Sequence, residues 1–319
     1  MFLKKGMALL VTCILIISTV GCGPRINETA REDMGKEVST ASEEINIITT
    51  IFPLSDIINN IGGEKVEVTT FLSPGDSPHT FEPSVEQAKK TSEASLLLYI
   101  GGGLDDWAVG LARGEGVPKV EVMEHLEKWI LEYEPIHLDN QACSHSHGSH
   151  DPHVWMDPVL VKEIIAPLVY NELKSLSPED DHYFRKNLES FQEELGQLHQ
   201  DIKKTVKNFS RRRFISYHSA WNYFAHRYGL EESASIEEFP GKEPSARWLT
   251  ELVDLAEEKN IKVIFAEPQL SSKAAETIAE EIGGKVKILD PLGGENLSGR
   301  DGYIELIRYN LEIFREALE

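Results

Sequence analysis

Cysteine is scarce, with three residues in 319. That excludes a disulfide-dense miniature scaffold, and a chain of this length can bury its own core. Basic residues are also in deficit: 32 Lys and Arg face 53 Asp and Glu, for a formal charge of −21. Nucleic acid demands a basic surface to meet its phosphates, so this balance argues against such a partner, and equally against adsorption to anionic lipid. There is no G-x-x-x-x-G-K-[ST] loop for nucleotide hydrolysis. Nor is there an H-E-x-x-H helix, since Glu124-His125-Leu126-Glu127 has the wrong spacing. Beyond residue 20 no apolar run is long enough to span a bilayer. What remains is ordinary globular usage, 41% hydrophobic and 27% charged, with a length that suggests about two domains.

The first segment reads as an address label. Lys4 and Lys5 precede an apolar run from about Met7 to Val20, the layout of a secretory signal and too short for a comfortable span. Thr19-Val20-Gly21-Cys22 resembles a bacterial lipoprotein cleavage box, in which Cys22 is acylated and becomes the first mature residue; Thr19 stands where Leu is usual. Residues 1–21 are therefore expected to be a signal peptide and 22–44, polar and aperiodic, a flexible tether to the membrane. Loss of Lys4 and Lys5 takes the charge from −21 to −23. Cys13 leaves with the leader and Cys22 carries lipid, so Cys143 has no partner for an internal disulfide.

The rest alternates strand and helix in two blocks. Apolar, β-branched runs stand at Ile45–Phe52, Val66–Leu72, Ala94–Ile100 and Lys119–Met123, then at Arg213–His218, Ser233–Phe239, Lys262–Ala266 and Lys285–Leu289. Helix-like stretches such as Leu54–Ile61, Pro83–Thr91, Pro244–Lys259 and Ser272–Ile282 separate them. Such alternation predicts α/β architecture: two βα lobes with mostly parallel sheets, spanning 45–176 and 211–319. Between them, Ser177-Pro178-Glu179-Asp180 has the composition of a helix start with Ser177 as N-cap. One long helix over 177–210 would be a stiff strut of about 45 Å, with Gly196 as its weak spot.

Four chemistry-bearing residues sit in or beside loops near strand ends: His79, His153, His218 and Asp290. Two come from each lobe, and ligands of open parallel sheets collect beyond the carboxyl ends of strands, so their expected meeting point is the cleft between lobes. Three imidazoles and one carboxylate form a four-coordinate N/O set suited to Zn²⁺.

The flanking motifs strengthen this. The stretches PGDSPHTFEPS (74–84), DPHVWMDP (151–158), SYHSAWNYFAHRYGL (216–230), EPSARWLTELVDLAEEKNIKVIFAEPQLS (243–271) and ILDPLG (288–293) resemble the substrate-binding lipoproteins of bacterial zinc and manganese ABC importers, the ZnuA/TroA type. The resemblance runs in order through residues 45–319. It implies two lobes joined by one rigid helix, a divalent ion in the cleft, and His79, His153, His218 and Asp290 as ligands. Members selective for manganese or iron place a carboxylate where this chain has His218, so three nitrogen donors favour Zn²⁺ over Mn²⁺. Pro78 occupies the position where some zinc members carry a carboxylate, which leaves Asp290, or water, as fourth ligand. Cys143-Ser144-His145-Ser146-His147-Gly148-Ser149-His150 resembles a reduced form of the family's His-rich loop, and His145, His147 and His150 are candidate auxiliary metal donors. Glu267 is expected beside the site as a supporting carboxylate, with Trp155, Trp221, Tyr217 and Tyr223 as its walls.

The implied function is extracytoplasmic capture of Zn²⁺ and delivery, as a lipid-anchored monomer, to a membrane permease driven by a cytoplasmic ATPase. Other classes are a manganese or iron carrier of the same family, a zinc hydrolase and a surface adhesin. Hydrolysis requires an open coordination position and a general base, for which no motif is present.

Overall fold

The computed structural model describes residues 45–112, 116–131, 150–237 and 241–319. The leader, the tether with Cys22, and Cys143, His145 and His147 of the His-rich stretch lie outside the described residues. Among those described, no helix is long and apolar enough to cross a membrane.

The first lobe holds β1 (Ile45–Thr49), α1 (Phe52–Gly62), β2 (Val66–Thr70), α2 (Val85–Ser92), β3 (Leu96–Tyr99), α3 (Trp107–Leu111) and β4 (Lys119–Glu121). Its four strands are all parallel, in the order β2-β1-β3-β4. β3 is Leu-Leu-Leu-Tyr and buried throughout, as expected of a central strand covered on both faces. The α2 helix starts with a reciprocal capping box between Ser84 and Gln87.

A connecting region follows. Asp157 caps α4 (Pro158–Leu160) by accepting from the Val159 N–H, and a π-type turn over Val161–Ile165 leads into α5 (Ala166–Leu176). The long helix α6 runs unbroken from Asp181 to Val206, 26 residues or about 39 Å. Gly196 lies within it without interrupting it. Ser177 does not act as its N-cap, because Pro178–Asp180 form a separate 3₁₀ turn and the Ser177 hydroxyl donates to Asp180 instead. Phe184, Leu188, Phe191, Leu195, Leu198, Ile202 and Val206 recur every three or four residues and are buried. Each such side chain contributes about 1.5–3 kcal/mol relative to exposure.

The second lobe repeats the first. It holds β5 (Arg213–Ser216), α7 (Asn222–Tyr228), β6 (Glu231–Ser235), α8 (Ala246–Glu258), β7 (Val263–Ala266), α9 (Lys273–Glu281), β8 (Lys285–Ile288) and α10 (Tyr303–Leu318). Its strands are again parallel, in the equivalent order β6-β5-β7-β8. The α7 helix stops at Gly229, whose φ of 70° is the left-handed cap that glycine adopts at least cost.

β6 is displaced from its expected position at Ser233–Phe239. Pairing with β5 sets Arg213 opposite Glu231, where their side chains form an ion pair of 2.9 Å, and this draws two charged residues into the strand. The sheets and strut share one core: buried residues of β1, α1, α5, α6, α7, β7 and α10 form a single contiguous hydrophobic cluster. Direct bonds also tie the halves together. Trp155 Nε1 donates to the Pro291 carbonyl at 2.8 Å, the Tyr303 hydroxyl donates to the Trp155 carbonyl at 2.7 Å, and Arg227 pairs with Asp157 at 2.6 Å.

Candidate metal centre

His79 lies in the loop that leaves β2, between Val66–Thr70 and the α2 cap. That loop is pinned from α3, where Trp107 Nε1 donates to the Pro78 carbonyl at 3.1 Å and the ring lies tilted against Phe81, centroids 4.8 Å apart. His153 precedes the 3₁₀ turn Val154–Met156, well after β4 rather than at its end. His218 lies two residues past β5, beyond its carboxyl end. Loops from both lobes thus meet in the cleft.

The three imidazoles converge. One nitrogen from each of His79, His153 and His218 falls within 4.8 Å of the others, and this is the only such group of His, Cys, Asp or Glu among the described residues. His153 Nε2 lies 3.3 Å from Nε2 of His79 and 3.3 Å from Nε2 of His218. The rings stand 5.1–5.6 Å apart, centroid to centroid. The cavity they open on is about 40 Å³, room for an ion and a little water.

Carboxylates behind the rings decide which nitrogen faces inward. His153 Nδ1 donates to Asp151 at 2.8 Å, and His218 Nδ1 donates to Glu267 at 2.7 Å. With the proton held on Nδ1, the Nε2 lone pair is left for the shared centre, the usual arrangement of a metal-bound histidine. Asp151 is itself fixed: it accepts from the His153 N–H at 2.9 Å and from Asn222 Nδ2 at 3.1 Å. Burial and the neighbouring His153 and His218 hold His79 well below its usual pKa, so it is neutral. Burial also depresses His218, but the charge and hydrogen bond of Glu267 outweigh it and raise the pKa. Three lone pairs aimed at one point repel unless a cation takes them, and three borderline nitrogens suit Zn²⁺.

Asp290 is not brought to this point. It lies outside the three-histidine group, 1% exposed, with both oxygens engaged. Oδ1 accepts from Gln269 Nε2, Leu292 N and Gly293 N, each at 3.0 Å, and Oδ2 from Arg300 at 2.7 Å. The guanidinium ten residues away neutralises the charge that metal binding would use, which sequence order alone did not reveal. Of the expected walls, Trp155 stands against His153, ring centroids 5.3 Å apart, and lines the cavity. Trp221 instead packs on Phe224 and Phe314, Tyr217 lies in the second lobe's core, and Tyr223 donates its hydroxyl to the Asp151 carbonyl. His150 is exposed and outside the three-histidine group. Asp151 and Glu237 were missed as site residues. Asp151 stands two residues before His153, the one signal that could have marked it; Glu237 also lines the cavity.

The architecture has close counterparts. A crystal structure of ZnuA superposes with a TM-score of 0.76 at 30% identity, covering 87% of this chain and 100% of that one. A structure of the laminin-binding protein Lmb of Streptococcus agalactiae, described as bifunctional with adhesin and metal-transporting activity, gives 0.73 at 31% identity, over 87% of this chain and 100% of that one. In sequence, the high-affinity zinc uptake system protein ZnuA of Bacillus subtilis is 29% identical across 100% of this chain and 99% of its own length. The zinc-binding protein AdcA of Streptococcus pyogenes is 28% identical over 86% of this chain, which spans only 56% of that longer relative. The family described as zinc-uptake complex component A, periplasmic, matches residues 47–317. A match over that extent, on two parallel-sheet lobes with three histidines converging between them, makes this chain a member of the ZnuA family.

Proposed function

We propose that this protein captures Zn²⁺ outside the cytoplasm with high affinity and delivers it to an ABC-type importer. The observation that carries the reading is the inward-facing set of three Nε2 atoms, two of them with Nδ1 held by Asp151 and Glu267. His79, His153 and His218 are the ligands. Three converging imidazoles with no H-E-x-x-H motif to supply a general base favour carriage over hydrolysis. The zinc proteins among its relatives support the choice of metal.

The anchor belongs to the same proposal. Cys22, in the lipoprotein-like box, carries the lipid, and residues 22–44 tether the carrier near its permease and the permease's ATPase. Energy for transport comes from those partners. The unbroken α6 and the shared core favour small tilts and loop movements over wide hinge opening during release.

The test is elemental analysis of natively purified protein, followed by competitive titration with Zn²⁺ and Mn²⁺. Stoichiometric zinc, lost by orders of magnitude in His79→Ala, His153→Ala or His218→Ala, is the expected result. An unchanged affinity in any of the three removes that residue from the site.

A further inference from the structure

The three histidines leave one position of a tetrahedral shell to be filled, and the obvious carboxylate is engaged elsewhere. Asp290 is buried and neutralised by Arg300. Arg300 is itself held in place. Its guanidinium lies 5.1 Å from the centroid of the Tyr309 ring, and its carbonyl accepts from the Gly294 N–H at 3.1 Å. The adjoining turn is equally fixed: Gly293 has a φ of 62°, and a Cβ there would meet the Arg300 carbonyl oxygen at 2.6 Å. Withdrawing Asp290 toward a metal would break a close ion pair and three hydrogen bonds at once.

One of those bonds has a further effect. Gln269 Nε2 donates to Asp290 Oδ1 at 3.0 Å. Because a carboxylate accepts and does not donate, this bond fixes which end of the amide is nitrogen. The other end, Oε1, is buried and has no hydrogen-bond partner among the described residues. Gln269 lines the same cavity as His79, His153 and His218. An orphaned buried acceptor costs about 1–3 kcal/mol unless something donates to it. A water on a divalent cation is a strong donor.

We propose that Gln269 is a further metal-site residue. Its Oε1 accepts a hydrogen bond from the water that completes the zinc shell, and Asp290, pinned by Arg300, orients that amide instead of coordinating the metal. Arg300, Asp290 and Gln269 thus form a relay that converts a charged donor into a neutral one. The site then holds Zn²⁺ through three neutral nitrogens and an exchangeable water, which leaves the fourth position open to a donor group from the protein that receives the ion.

This inference rests on the zinc-carrier reading, and the experiment separates the two. Zinc affinity is measured by chelator competition on the full chain and on Gln269→Leu, Asp290→Asn and the double variant. The visible spectrum of the Co²⁺-loaded forms is recorded alongside, since a merely structural change would not alter the cobalt environment. Loss of one supporting hydrogen bond outside the ligand shell is expected to weaken zinc about tenfold in Gln269→Leu, with a shifted cobalt band. Asp290→Asn is expected to lose no more than that, and the double variant no more than the worse single one, because both act through the same bond. Gln269→Leu within twofold of the parent with an unchanged cobalt spectrum would overturn the proposal while leaving the carrier reading intact. So would a hundredfold loss in Asp290→Asn that adds fully to that of Gln269→Leu, since Asp290 would then be the ligand. A parent chain that binds no zinc would overturn both.

Discussion

Proton placement on single imidazoles decides what the centre can hold. Asp151 and Glu267 keep protons on the Nδ1 atoms of His153 and His218, and each contact is under 3 Å. Asp151→Asn and Glu267→Gln preserve shape but remove the negative charge, so each should weaken zinc about 10–100-fold; an affinity within twofold of the parent would show that the rings orient themselves. His218→Glu trades a nitrogen for oxygen donors and should move the Zn²⁺/Mn²⁺ preference toward manganese, read by competition between the two metals. Taken singly, each histidine reads as an ordinary loop residue, and they were legible only through the flanking motifs, such as DPHVWMDP and SYHSAWNYFAHRYGL, that resemble a known family. The fate of Asp290 was not. Its motif, ILDPLG, reads the same whether or not Arg300 folds back onto the carboxylate, and that depends on the Gly293 turn and the Tyr309 ring.

Among the elements, the long helix carries the most mechanical weight and one evident weakness. Gly196 has ordinary helical backbone, and an added Cβ would meet only the Lys162 side chain, at 3.8 Å. Gly196→Ala should therefore stabilise the fold by about 1 kcal/mol, since alanine gives up less backbone freedom than glycine. The expected reading is a melting temperature higher by about 2 °C with zinc affinity unchanged; a change in affinity would mean that the strut's flexibility enters binding. Strands such as Leu96–Tyr99 could be read from sequence because a strand buried on both faces is continuously apolar. β6 was misplaced for the converse reason. Its stretch Glu231-Glu232 looks like solvent-facing loop, and only the partner strand, with Arg213 opposite, makes it sheet. Ser177 carried the right chemistry for a cap but stands one 3₁₀ turn too early.

The whole molecule carries one of those misplaced residues as a pH-sensitive burden. Glu232 is buried in the second lobe, its carboxyl bonded to Ser216, and burial pushes its pKa up to about 8 from an ordinary value of 4.5. A carboxyl whose folded pKa is raised binds its proton more tightly when folded. Its contribution is fully present below about pH 4.5 and is lost as the pH rises toward 8, above which it is flat. The metal-free chain should accordingly lose stability across that window by up to about 5 kcal/mol, and Glu232→Gln should abolish that part of the slope. Parallel melting curves of the two proteins at several pH values provide the check; identical slopes would mean that Glu232 is ionised in the fold. The largest hydrophobic cluster, which runs through both lobes and the strut, has its own consequence. Because the halves cannot unfold separately without tearing that core, free energy gained at the cleft is shared by the entire chain. At a free zinc concentration a hundredfold above the dissociation constant this amounts to about 2.7 kcal/mol. Loaded molecules would then outlast empty ones under proteolysis, and the standing population of the carrier would itself record how much metal its surroundings contain.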